Sequence, residues 1–189
     1  MTWKILDQTV VHDGWGRFLL LDVEVADGVV VQRQLDDHGS AACVLPYDAE
    51  RRTALLARLP RVGPLFLGLE PRLAEATAGM FDPDESGPDC ARREAMEELG
   101  VRLTALEPVA CVWSAPGVST ETIDLYLGAY RQSDRIADGG GVDGEHEDIE
   151  IVEIGLAALW DEAQSGAVTD MKTLLLVYAL HARRPALFS

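Results

Sequence analysis

Three short runs rich in β-forming apolar residues open the chain: Trp3–Val11, Arg17–Val25 and Val29–Gln34. The turn sequences His12-Asp13-Gly14-Trp15-Gly16 and Ala26-Asp27-Gly28 separate them. This pattern predicts a β-meander over residues 1–37. Three strands alone are marginally stable, so the meander is expected to lean on something larger. After Asp36-Asp37-His38-Gly39 the pattern changes. Ser40–Pro46 reads as an apolar strand, Asp48–Arg52 as a polar turn and Thr53–Leu59 as a second strand. Pro60–Pro71, with three prolines and two glycines, reads as an irregular loop. Pro88–Leu99 has helical spacing, with Pro88 suited to the first turn and Gly100 to the position just past the end. Val109–Trp113 and Thr122–Tyr130 read as strands joined through a turn at Ser114-Ala115-Pro116-Gly117, and Ile149–Ile154 as a further strand. Leu156–Ser165 and Asp170–Arg183 read as helices broken at Gly166. Strands and helices intermingle from residue 38 to 189, which predicts a layered α/β domain there, preceded by the small meander.

The chain has 189 residues and 20.6 kDa, the size of one domain with a small appendage. Sixteen Lys and Arg against 32 Asp and Glu leave a formal charge of −16. Such a surface repels phosphate backbones, which argues against nucleic-acid and anionic-membrane partners. A small phosphorylated substrate remains compatible if divalent cations bridge the charges. Cys43, Cys90 and Cys111 are an odd count without CxxC spacing and read as reduced thiols. With no 18-residue apolar run and no signal-peptide core near the first residues, the expected location is the cytoplasm.

The informative stretch lies between Gly79 and Val101. On a helix, Glu94, Glu97 and Glu98 fall within an arc of about 100°. Ala91, Ala95 and Leu99 form the adjoining apolar stripe, able to dock on a sheet. Grouped carboxylates repel one another and ask for a counter-charge, and all-oxygen donors favour hard cations such as Mg²⁺ or Mn²⁺. A solvated helix face would also carry three glutamates. The full spacing decides between the two: Gly79, five residues, Glu85, seven residues, then Arg93-Glu94-Ala95-Met96-Glu97-Glu98-Leu99-Gly100-Val101. This matches the Nudix box at every fixed position, and the chain is identified on it as resembling the Nudix hydrolases.

That resemblance implies an α/β/α sandwich with a mixed sheet, and hydrolysis of a nucleoside diphosphate linked to another group, with water as nucleophile. It implies that Glu97 and Glu98 are direct metal ligands and that Glu94 binds metal or positions the water. Arg93 would brace a box glutamate, Gly79 would let the backbone turn toward the metal, and Glu85 and Gly100 would be structural. Within the family, Glu75-Ala76-Thr77-Ala78-Gly79 resembles the lead-in of ADP-ribose pyrophosphatases, with Thr77 where proline is usual. Ser114-Ala115-Pro116-Gly117-Val118-Ser119-Thr120-Glu121 is similar to the substrate-binding turn of that group, which implies substrate contacts from Ser114, Pro116, Gly117 and Glu121. Gly139-Gly140-Gly141-Val142, the Glu147-Asp148-Ile149-Glu150 run and Lys172-Thr173 look like the bacterial GDP-mannose pyrophosphatase branch. The strand Leu56-Ala57-Arg58-Leu59-Pro60-Arg61 departs from the group's Arg-Gln-x-Arg, leaving Arg61 as the candidate phosphate or base contact.

In the same group the general base comes from a loop after the box. The matching segment here is the glycine-rich Ser133–Glu147, expected to close over substrate, with Glu145 as first choice of base and Glu147 as second. The implied substrate is a nucleotide sugar, GDP-mannose-like or ADP-ribose. Alternatives are a nucleotide-sugar-binding module without turnover, or hydrolysis of another nucleoside diphosphate-linked compound. The resemblance also implies a homodimer in which residues 1–37 swap between subunits, with Trp3 and Trp15 packing at the interface or stacking a base.

Overall fold

The computed structural model describes residues 3–142, 144 and 148–189. Its contacts divide the chain into two units, one of residues 1–41 with 111–123, the other of 42–110 with 124–189.

The first unit is built on an antiparallel sheet in the order β1-β2-β3, with β1 Lys4–Asp13, β2 Arg17–Glu24 and β3 Val30–Asp37. Burial alternates along β2: Leu19, Leu21 and Val23 are buried and packed with Val25, Val31 and Leu35. β1 is an edge strand, and all ten of its residues are exposed. β3 ends against the 114–121 turn. Asp36 donates its N–H to the Val118 carbonyl at 2.8 Å and accepts from Thr120 N at 3.0 Å. The Thr120 hydroxyl and the Arg17 guanidinium both donate to Asp37 and hold its carboxyl below the usual range.

The second unit carries most of a seven-stranded sheet. Its main path is β10-β5-β4-β9-β8, formed by β4 Ala41–Asp48, β5 Thr53–Pro60, β8 Glu107–Trp113, β9 Thr122–Ala129 and β10 Glu150–Gly155. β4 is central and every residue in it is buried, which explains its nearly unbroken apolar sequence. β4 runs antiparallel to β5 but parallel to β9: Tyr130 N bonds the Tyr47 carbonyl at one end, and the Ser40 and Thr122 hydroxyls meet at the other. The sheet is therefore mixed. β4 meets β5 at Tyr47↔Ala54 and Asp48↔Thr53. Farther along, β5 pairs instead with β6 Arg72–Glu75 (Ala57↔Glu75) and β4 pairs with β7 Thr77–Met80. Two short strands thus fill the place where β4 and β5 part, next to Pro46, which has no N–H for a ladder.

Residues 72–80 showed no strand signal because four-residue strands have too little length for a period. The expected irregular loop 60–71 contains a short helix, α1 Val62–Phe66. α2 Gly87–Leu99 is capped as its sequence suggests. The Ser86 side chain accepts from Asp89 N, Pro88 sits in the first turn, and Gly100 closes the end at φ 67°. Ala91, Ala95 and Leu99 are fully buried against Ala42, Val44, Leu55 and Ala57 of the sheet. α3 Leu156–Ser165 and α4 Met171–Arg183 bury Leu156, Leu159, Leu176, Val177 and Leu180. Among the described residues no helix is long and apolar enough to cross a membrane.

Candidate active site

α2 lies beside β7, and the two elements bring the box residues together. The helix phase alone places Glu94, Glu97 and Glu98 near one another; the neighbouring strand decides what each meets. Glu94 and Glu98 are buried, with 9% and 4% of their surface exposed, so the solvated-face reading fails for both. Burying carboxylates is costly unless charge and hydrogen bonds compensate.

Arg93 supplies part of that compensation. Its Nε and Nη2 donate to Glu85 at 3.0 and 2.9 Å, and Nη1 donates to Glu94 at 2.6 Å and to Glu97 at 3.1 Å. Nη2 also reaches the Met80 carbonyl at 2.9 Å. One guanidinium thus joins the loop before the helix to its acidic face. Glu85, which also accepts from Asp82 N, is held below its ordinary pKa first by the Arg93 hydrogen bonds. Glu98 takes a hydrogen bond from the buried Thr77 hydroxyl, the residue standing where the related lead-in carries proline.

Gly79 has a steric role beside Glu94. A Cβ there would fall 1.7 Å from Glu94 Oε1, so the glycine is an empty place into which the Glu94 carboxylate fits. The Gly79 and Met80 carbonyls accept from the Cys90 thiol, each at 3.4 Å, and burial pushes that thiol up to about 12.

A second charged group adjoins the lead-in strand. Arg61 Nε and Nη2 donate to Glu75 at 2.9 and 3.1 Å, and Lys172 Nζ donates to Glu75 at 3.1 Å and to Asp170 at 2.7 Å. Asp170 caps α4 through Thr173 N, and the Thr173 hydroxyl accepts from Ala76 N at 2.7 Å. Burial works against the Lys172 charge, but Asp170 and Glu75 overcome it and raise its pKa. Arg61 is therefore engaged with Glu75 along one edge of its guanidinium. Asp170 was not legible as a site neighbour: its capping spacing to Thr173 is readable, its reach to residue 75 is not.

Ser114, Pro116, Gly117 and Glu121 belong to the first unit. There Ser114 N bonds the Glu121 carbonyl at 3.2 Å, and Pro116 and Gly117 stand exposed at the tip. Glu121 Oε1 lies 3.5 Å from His38 Nε2, and the His38 ring stacks on Trp15 at 5.1 Å. Glu145 and Glu147, the candidate bases, lie outside the described residues.

The NUDIX domain model matches residues 37–171. The chain belongs to the Nudix family. Relatives include the GDP-mannose pyrophosphatase of Cronobacter sakazakii, 37% identical over 171 residues that cover 88% of this chain and 87% of that protein. That of Salmonella arizonae is 36% identical over 169 residues, covering 87% and 86%. A crystal structure of an ADP compounds hydrolase shares the fold, with a TM-score of 0.79 at 19% identity over 98% of this chain and 96% of the other.

Nudix hydrolases generally use a divalent cation, and the donor chemistry here fits one. Glu94, Glu97 and Glu98 offer only oxygen, and Arg93 sets a single positive charge against Glu85, Glu94 and Glu97, the carboxylates to which it donates. Among the described residues, no three carboxylate, histidine or cysteine side chains converge on one point in a metal's ligand arrangement. Glu94 and Glu97 turn toward Arg93, and Glu98 toward Thr77.

Proposed function

We infer that this chain hydrolyses the diphosphate of a nucleotide sugar, GDP-mannose-like or ADP-ribose, to a nucleoside monophosphate and a sugar phosphate. The observation that carries this reading is the buried Glu94–Glu98 face of α2, built on a complete Nudix box in a chain whose relatives are named GDP-mannose pyrophosphatases. Glu97 and Glu98 are assigned as ligands of Mg²⁺ or Mn²⁺, with Glu94, held by Arg93 and seated at Gly79, binding the cation or orienting the water. The cation supplies neutralisation of the diphosphate oxygens and a site for the attacking water. Arg93 holds the Glu94 and Glu97 carboxylates in place through its hydrogen bonds. Arg61 is assigned to phosphate or base, with Ser114, Pro116, Gly117 and Glu121 as further substrate contacts. The experiment is a panel of nucleotide sugars with Mg²⁺, the products resolved by chromatography. Two phosphorylated products that vanish on chelation support the assignment. Saturable binding without products would make the chain a nucleotide-sugar-binding module.

The base is assigned to Glu145, with Glu147 supporting. Glu145→Gln is expected to lower kcat by about 10²-fold or more at nearly constant KM, and Glu147→Gln to be milder. If Glu147→Gln is the crippled variant, the two roles exchange. If neither loses more than about fivefold, the base returns to Glu94.

We also propose a homodimer in which residues 1–37 exchange between subunits. Two apolar surfaces support it: Trp3, Ile5, Leu6, Val10 and Val11 on the first unit, and Val62, Leu65, Phe66, Leu67 and Leu69 on the second, all 46% exposed or more. Light scattering should give twice the mass of the chain, and deletion of residues 1–37 should give monomer or aggregate. A soluble, active monomer after deletion excludes the exchange.

A further inference from the structure

The last carbonyls of an α-helix have no donor within the helix, and the last turn frays unless something else satisfies them. In α2 that last turn carries Glu97 and Glu98. Ala95 and Met96 carbonyls are closed by the cap, from Val101 N and Gly100 N, both at 3.0 Å. The next two are closed from far along the chain. Glu97 O accepts from Gly141 N at 3.0 Å, and Glu98 O accepts from Gly140 N at 2.8 Å. The same segment continues the grip: Ile136 N and Ala137 N donate to Gly100 O at 2.9 and 3.3 Å, and Arg102 N donates to Asp134 O at 2.9 Å.

The approach is so close that only glycine fits on either side. A Cβ on Gly139, at φ 69°, would lie 2.7 Å from Glu98 O and 2.8 Å from Gly100 N. A Cβ on Gly100 would lie 2.1 Å from the Ala137 carbonyl. Gly140 and Gly141 have φ of 99° and 90°, where other residues are strained. The glycines at 139–141 thus serve a backbone contact with the end of the helix.

We infer that the Gly139–Gly141 run is a clamp that positions the cation-binding glutamates. By holding the carbonyls of residues 97 and 98 it fixes the Cα–Cβ directions of the two side chains, and so sets the affinity for the divalent cation. The Gly139–Gly141 run acts here through the helix backbone, as a positioning element. This inference rests on the reading of Glu97 and Glu98 as cation ligands.

The test uses the full chain and Mn²⁺ alone. Mn²⁺ binding is followed by electron paramagnetic resonance of the free ion for the parent, Gly139→Ala, Gly140→Ala, Glu98→Gln and Gly166→Ala. Gly139→Ala and Gly140→Ala should each weaken Mn²⁺ binding about tenfold, the scale seen when a group that orients a metal ligand is lost. Their KM for nucleotide sugar at saturating Mn²⁺ should stay within about twofold of the parent. Gly166→Ala puts the same substitution at the left-handed cap of α3, at φ 81°, and should bind Mn²⁺ as the parent does. If Gly139→Ala fails to fold, Gly140→Ala decides, because its Cβ would enter open space. Parent-like Mn²⁺ affinity in the glycine variants, with Glu98→Gln weakened, overturns the clamp alone. Parent-like affinity in Glu98→Gln overturns the cation site and the clamp with it. Equal weakening in Gly166→Ala reduces the effect to general destabilisation and also overturns the clamp.

Discussion

Glu98→Gln is expected to lower kcat by several orders of magnitude while leaving the fold intact. The two halves have one cause. Glu98 is a carboxylate with 4% of its surface exposed, held by the Thr77 hydroxyl, and a buried charge of this kind costs stability that a bound cation restores. Glutamine keeps the volume and still accepts from Thr77, so the packing around residue 98 is retained. What it loses is the charge that holds the cation. Thermal unfolding in chelator should give a midpoint close to that of the parent, and Mg²⁺ should no longer raise it as ligand linkage requires of the parent. A variant with near-parental kcat would remove Glu98 from the cation site.

Arg93→Ala is expected to be the most destabilising single change in the box, by about 3 kcal/mol in chelator, the cost of stripping one partner from a buried charge network. It deprives Glu85, Glu94 and Glu97 of their shared guanidinium and the Met80 carbonyl of a donor. Arg93→Lys should recover little, because a single ammonium cannot span four acceptors arranged for a planar fork. The effect has a pH signature. The folded pKa of Glu85 lies below its ordinary 4.5, so its contribution to stability is complete above that value and is lost as pH falls through the depressed one. Arg93→Ala should therefore flatten the acid limb of the stability profile. Urea unfolding of parent and variant between neutral and acid pH measures this, and parallel acid limbs would detach Glu85 from Arg93.

Much of the box was readable because its information is local. Pro88 and Gly100 mark the helix ends, and the Ala91–Ala95–Leu99 stripe marks the face that docks. Glu94, Glu97 and Glu98 then follow from helical phase. The buried central strand β4 was likewise visible as an apolar run. Residues 72–80 were not, because β6 and β7 exist only through pairing with strands 12 or more residues earlier.

By itself, then, the sequence determined the type of each long element, the phase of the acidic face and the excess of carboxylate that calls for a cation. Those properties depend on neighbours three and four residues apart, which a chain carries before it folds. Only the tertiary structure decided that Gly79 makes room for Glu94, that Thr77 holds Glu98, that Glu75 meets Lys172 across 97 residues, and that Gly140 and Gly141 close the end of the box helix. Each of these joins groups far apart in the chain, and such contacts leave no period to read, because distance through space is set by the packing of whole elements.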